Sequence, residues 1–200
     1  MVEGTRLSGE DWVAAGLRAL VDRGIGAVKV LSLAAELGVT RGSFYWHFAN
    51  RDALLERLLD AWDATNSGAI VGAAMSPGDI VDRYIALSSC WLGWERFDPH
   101  LDVAVRHWGR AAPALRERLG AADERRVTAI QAMLEPEGLD PSMTLHRART
   151  LYYMQMGWFE LEVDEPMAAR VASIVPYFEI FIGRAPSPTE RARISAALTE

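Results

Sequence analysis

The stretch Leu33-Ala34-Ala35-Glu36-Leu37-Gly38-Val39-Thr40-Arg41-Gly42-Ser43-Phe44-Tyr45-Trp46-His47-Phe48 decides the fold of this chain. It reads as two short helices, Leu31–Leu37 and Gly42–Phe48, on either side of a turn at Gly38, which suits a left-handed backbone. Two short helices joined in this way form a helix-turn-helix, whose second helix fits a DNA major groove. Leu33, Ala34, Leu37, Val39, Phe44 and Phe48 point inward. Thr40, Arg41, Ser43, Tyr45, Trp46 and His47 remain outward.

An isolated surface helix gains nothing from exposing Tyr-Trp-His beside an arginine. A helix that lies in a groove does, because the tyrosine hydroxyl, the indole N–H and the imidazole N–H all donate to phosphate. Arg41 and Ser43 are placed to reach base edges. Gly42 has no side chain to hold the backbone away from a base step. Arg51 opens the next helix and sets its charge at that helix's positive end, facing a phosphate. The competing reading makes Tyr45, Trp46 and His47 core aromatics. Phe44 and Phe48 already hold the inward face, and one helix cannot turn all five rings to the same side.

Working outward, a first helix spans Ser8 to Arg23, with Ser8 as N-cap, Glu10 and Asp11 at its positive start and Gly24 as its stop. A longer helix begins at Asn50 or Arg51 and carries the stripe Leu54, Leu55, Leu58, Leu59 and Trp62. Prolines near plausible starts place further helices at 77–97, 99–110, 112–135, 141–163 and 166–183. Pro176 falls inside the last of these and removes its bond to Ala172. The tail after Pro186 and Pro188 carries no assignment. Sustained period-2 alternation, internal repeats and low-complexity tracts are missing. The expected fold is all-α, about nine helices, with a helix-turn-helix domain over residues 1–50 and a larger helical domain over 51–200.

The length leaves room for a sizeable core, and half of the residues are apolar. No apolar run reaches the roughly 20 residues that cross a bilayer, so no membrane partner is expected. Met1 to Arg6 carry no apolar signal segment, and Cys90 stands alone, which points to a reducing compartment, the cytoplasm. The net charge is −6; residues 1–60 hold seven basic and eight acidic side chains, and the acidic excess lies mostly beyond them. Bulk attraction to nucleic acid is therefore absent, and any DNA contact must come from a local patch.

From about Ser8 to Trp62 the chain resembles the DNA-binding domain of the tetracycline-repressor (TetR) family of transcriptional regulators. The pattern that carries the likeness is Ala34-x-x-Leu37-Gly38-Val39-x-x-Gly42-Ser43-Phe44-Tyr45-Trp46-His47-Phe48-x-Asn50-Arg51-x-x-Leu54-Leu55. The resemblance implies an all-α homodimer with N-terminal reading heads and a C-terminal body that binds a small molecule and dimerises. It also implies that Thr40, Arg41, Gly42 and Ser43 lie at or near bases, while Tyr45, Trp46, His47 and Arg51 hold phosphates. The family usually opens its second helix with Thr. Here Lys29 stands at that position, offering a point charge, with Ser32 as a nearby donor; Leu31 has no such role.

Other constellations explain less. Ser43 and His47 stand four apart, as a nucleophile pair would, but no carboxylate is placed to orient the histidine. His100 and His107 are separated by roughly 10.5 Å of helix rise, too far to share a metal. Gly24-Ile25-Gly26 follows no strand and reads as a turn, not a nucleotide loop. No catalytic set, metal site or cofactor is expected, and the chain is not expected to be an enzyme.

In the body, aromatic and methionine side chains suggest a mostly apolar pocket lined by Trp91, Trp94, His107, Trp108, Tyr152 and Met156, suited to a small hydrophobic effector. The two helices near the C-terminus are apolar over adjoining faces, more than one monomer buries. That predicts a homodimer interface through Leu151, Trp158, Val171, Val175, Phe178 and Ile182. The expected function is a regulator, a repressor on a pseudo-palindromic double-stranded operator. The alternative is a helical binding protein or enzyme whose helix-turn-helix no longer works.

Overall fold

The structure, a computed structural model, describes residues 7–93 and 96–197. Trp94, one of the expected pocket residues, and the Met1–Arg6 segment lie outside the described residues. Among these there is no strand, and eleven α-helices stand where about nine were expected. The chain gathers into two compact units: one runs to Ala64 and takes in His100–Glu117, and the other holds Thr65–Pro99 with the chain from Arg118 onward. The helix after residue 50 packs into the first unit.

In the first unit, α1 (Gly9–Arg23) begins with a reciprocal cap: Ser8 Oγ accepts from Asp11 N–H, and the Asp11 carboxylate accepts from Ser8 N–H at 2.7 Å. Those bonds from Ser8 hold the Asp11 carboxyl below the usual carboxylate range. Trp12, Val13, Ala15, Gly16, Ala19 and Leu20 form its buried face. At Gly16 the helix α4 (Arg51–Trp62) packs tightly, since a Cβ there would stand 2.9 Å from a methyl of Leu58. Asn50 caps α4 by accepting from Ala53 N–H at 2.8 Å. Between these helices lie α2 (Val30–Glu36) and α3 (Arg41–Phe44), joined through Gly38 at φ 67°. The α3 helix is shorter than the expected 42–48. Its continuation is a hydrogen-bonded turn, with His47 N–H and Phe48 N–H both donating to Phe44 O.

The first unit also holds most of α7 (Pro99–Ala111), tied to the end of α4 by the Trp62 indole N–H donating to Asp102 Oδ1 at 2.8 Å. Asp102 is nearly fully buried, and its other oxygen accepts from Arg106 at 2.8 Å.

The second unit comprises α5 (Gly68–Ala74), α6 (Ile80–Gly93), most of α8 (Pro113–Leu134), α9 (Pro141–Glu160), α10 (Met167–Ile182) and α11 (Pro188–Ala197). The sequence missed α5, and it started α6 at Pro77. The effective cap is Asp79, whose carboxylate accepts from the N–H groups of Val81 and Asp82. The chain stays helical through Pro176. Tyr84 meets Phe178 edge-on at 5.1 Å and donates its hydroxyl to Ile174 O, while Phe97 stacks on Phe159. Arg126 is fully buried; it donates to Ser67 Oγ and to the Tyr152 hydroxyl, which in turn donates to Asp123. The unassigned tail is α11, held by Arg193 on Asp79 and Asp82 and by Arg184 on Glu190 and Glu137.

Candidate functional site

The residues after Gly38 sort by side. Phe44 has no exposed surface; it meets Trp12 edge-on at 5.1 Å and stacks on Phe48 at 5.4 Å. The same turn of chain leaves Trp46 82 % exposed and Tyr45 49 % exposed, with Thr40, Arg41, Gly42 and His47 also on the surface and Ser43 half-buried. The expectation that one helix cannot turn all these rings inward is met. Arg41 donates from Nη2 to the Tyr45 hydroxyl at 2.8 Å, and its guanidinium lies 5.6 Å from that ring's centre. This contact fixes two long side chains on one face without neutralising the charge. Lys29 and Ser32 are exposed, and no carboxylate pairs with Lys29 or Arg41 among the described residues. By contrast Arg18 and Arg23 both meet Glu36, so their charge is locally balanced. Leu31, next to Lys29, is 71 % exposed.

Arg51 differs from its expected place. Its Nε donates to Val28 O and its Nη2 to Ile25 O at 3.1 Å. It is half-buried and clasps the loop between α1 and α2 to the start of α4.

In the second unit a cleft of about 540 Å³, its open mouth included, lies among α6, α9 and α10. Trp91, Leu92, Leu151, Met154, Trp158 and Tyr177 give it largely apolar walls. Of the residues expected there, Trp91 lines it. Tyr152 is buried with its hydroxyl in the Arg126–Asp123 network, and Met156 does not reach the cleft. His107 and Trp108 belong to the other compact unit. The sequence reading missed Gln155 and Arg170. Arg170 is only 8 % exposed; it donates from Nη2 to Trp91 O at 3.1 Å and stacks over the Trp158 ring at 4.1 Å. Burial pushes its guanidinium below its ordinary value, against the pull of Glu165. A lone arginine on an otherwise apolar helix was the available signal.

The expected dimer residues also sort by burial. Leu151, Phe178 and Ile182 are buried within the chain itself, so they are core and not contact surface. Trp158 lines the cleft, while Val171 and Val175 are half-buried. The adjacent faces carry the exposed apolar side chains instead: Tyr153, Leu161, Met167 and Ile180. Helices apolar nearly all round hide from the sequence which face turns in. Among the described residues, no group of three His, Cys, Asp or Glu side chains is placed to hold a metal ion. No described helix is long and apolar enough to cross a membrane.

Comparison with known proteins places these observations. Residues 13–58 match the family model described as bacterial regulatory proteins, tetR family. The transcriptional regulator TtgR of Pseudomonas putida is 39 % identical over 54 residues, which is 27 % of this chain; the match spans about a quarter, 26 %, of TtgR's own length. A crystal structure from Rhodococcus sp., assigned to the TetR family of transcriptional regulators, superposes with a TM-score of 0.64 at 18 % identity, covering 87 % of this chain and 98 % of that one. The reduced form of NemR from E. coli superposes with a TM-score of 0.61 at 19 % identity, over 88 % of this chain and 94 % of its own. At such identities the likeness is one of fold. Residues 13–58 thus carry the likeness to the tetR family of bacterial regulatory proteins, and the chain as a whole shares its fold with these solved structures.

Proposed function

We propose that the chain is a DNA-binding transcriptional regulator. It works as a cytoplasmic homodimer and represses from a pseudo-palindromic operator until a small apolar effector enters the cleft of the second unit. The observation that carries this reading is Trp46, 82 % exposed next to a fully buried Phe44. Leaving an indole in water is unfavourable for an isolated monomer and useful to a face that meets a duplex. Reading belongs to residues 1–50, with α4 as their support; effector binding and dimerisation belong to 51–200.

Within this proposal Arg41, Gly42 and Ser43 approach bases, and Thr40, Tyr45, Trp46, His47, Lys29 and Ser32 hold the backbone. Arg51 contributes as the clasp seen above. The exposed apolar side chains of α9 and α10 support a second copy, which would set two reading faces about 34–36 Å apart. An effector acts only if it binds one arrangement of the heads better than the other.

A gel-shift titration against the duplex flanking the chain's own gene tests the reading. The full chain is expected to retard that duplex, and Trp46→Ala is expected to weaken the shift while leaving the melting temperature unchanged. An unshifted duplex, or a Trp46→Ala protein that binds as well as the parent, contradicts it.

A further inference from the structure

The cleft in the second unit is richer in donors than its apolar walls require. The indole Nε1 of Trp91 and the amide Nε2 of Gln155 are both buried, and neither meets an acceptor in the structure. Buried polar groups are almost always hydrogen-bonded, so two orphaned donors in one cleft ask for a partner from outside the chain. Arg170 lines the same cleft. Its contacts are one bond to Trp91 O and the stack on Trp158, and no carboxylate comes within ion-pairing distance. A guanidinium has five N–H donors in a planar fork, which leaves most of its donors available. A buried cation without an anion is costly, and a bidentate carboxylate is the partner that its geometry fits.

Two of the hydroxyl protons on the same walls are already committed within the chain. The Tyr84 hydroxyl donates to Ile174 O, and Ser173 donates to Ala169 O. Glu165 is the one carboxylate among the lining residues; it acts on Arg170 from a distance and opposes an incoming anion. The rest of the lining is mostly aromatic and aliphatic, with the indoles of Trp91 and Trp158 and the rings of Tyr84, Tyr177 and Phe181 among it.

We propose that this cleft selects an aromatic carboxylate, its rings against Trp158 and Tyr177 and its anionic head on Arg170, with Trp91 and Gln155 donating to its oxygens. The proposal rests on the reading of the cleft as the effector site and names the class of molecule that site takes. Opposite charge supplies the choice of acid over neutral analogue, and ring stacking supplies the choice of aromatic over bare anion. Glu165 limits affinity.

Isothermal titration of the full chain with 2-naphthoate and with 2-naphthamide at neutral pH separates these terms. Naphthoate is expected to bind about tenfold more tightly than the amide, because a charge-assisted bond replaces a neutral one. Glu165→Gln is expected to tighten naphthoate severalfold and leave the amide unchanged. Arg170→Gln is expected to bring naphthoate down to the level of the amide. If that variant does not fold, the parent and Glu165→Gln ratios carry the test alone. Equal binding of acid and amide overturns the proposal while leaving the cleft a site for neutral apolar molecules. Binding of neither probe overturns both this proposal and the effector-site reading beneath it.

Discussion

At the scale of single residues, adjacent positions do opposite work. Phe44 fills the space between Trp12 and Phe48, while Trp46, two residues on, stands in solvent. Removing a buried phenylalanine costs about 3–5 kcal/mol through lost burial and the cavity left behind. Phe44→Ala is therefore expected to lower the denaturant midpoint strongly, and Trp46→Ala to leave it within about 0.5 kcal/mol of the parent; equal losses would mean that the two rings share an environment. Arg41 is held by the Tyr45 hydroxyl and carries an unneutralised charge. Arg41→Ala is expected to cost about 1–3 kcal/mol on a preferred duplex if it grips a guanine. The same loss on random DNA makes it a phosphate contact. The sorting of these side chains was legible because helical geometry divides any short run into two sides. The role of Arg51 was not, since its partners are backbone carbonyls of Val28 and Ile25, about which side-chain identity says nothing.

At the scale of elements, caps and charges decide what holds. The α5 helix escaped the sequence reading because Gly68-Ala69-Ile70-Val71-Gly72 offers neither a cap nor a polar face, and glycine weakens any helix signal. The α6 boundary was misjudged because a proline is easier to see than Asp79, whose cap shows only in its bonds to Val81 and Asp82. Asp79 also anchors α11: the Arg193 guanidinium beside it holds its carboxyl down at about 2, and Arg184 holds Glu190 at about 2. Both carboxyls are depressed in the fold, so their contribution is complete above the ordinary values of 3.8 and 4.5 and is lost as pH falls through about 2. Between pH 4.5 and 2 the melting temperature is expected to drop, and to drop less in Arg193→Gln than in the parent. Parallel curves would mean that the clasp contributes nothing, as exposed ion pairs sometimes do.

At the scale of the whole molecule, the described helices leave apolar side chains in water where a second copy would cover them. Ile180 is 58 % exposed and Leu161 76 % exposed, while Phe178 is wholly buried against Tyr84. Ile180→Glu is expected to yield folded monomers in light scattering, whereas Phe178→Glu is expected to unfold the chain by placing a charge in its core. A folded dimer of Ile180→Glu would move the interface elsewhere. That the chain is all-helical was readable from its periodicities. Which side of a nearly all-apolar helix faces its own core was not, because burial depends on neighbours distant in sequence. The charge balance has a further consequence at this scale. With a net charge of −6, the protein has no general attraction to DNA, so the proposed binding would have to come from the face built on Lys29 and residues 40–47.

The most direct test of that face is the ratio of affinities for two duplexes of equal length and composition, measured by fluorescence anisotropy at fixed physiological salt. One carries the sequence flanking the chain's own gene, and the other a scrambled version of it. The account predicts a preference of about a thousandfold or more for the flanking sequence, reduced by Arg41→Ala. Equal affinity for the two duplexes, or no measurable binding to either, would contradict it.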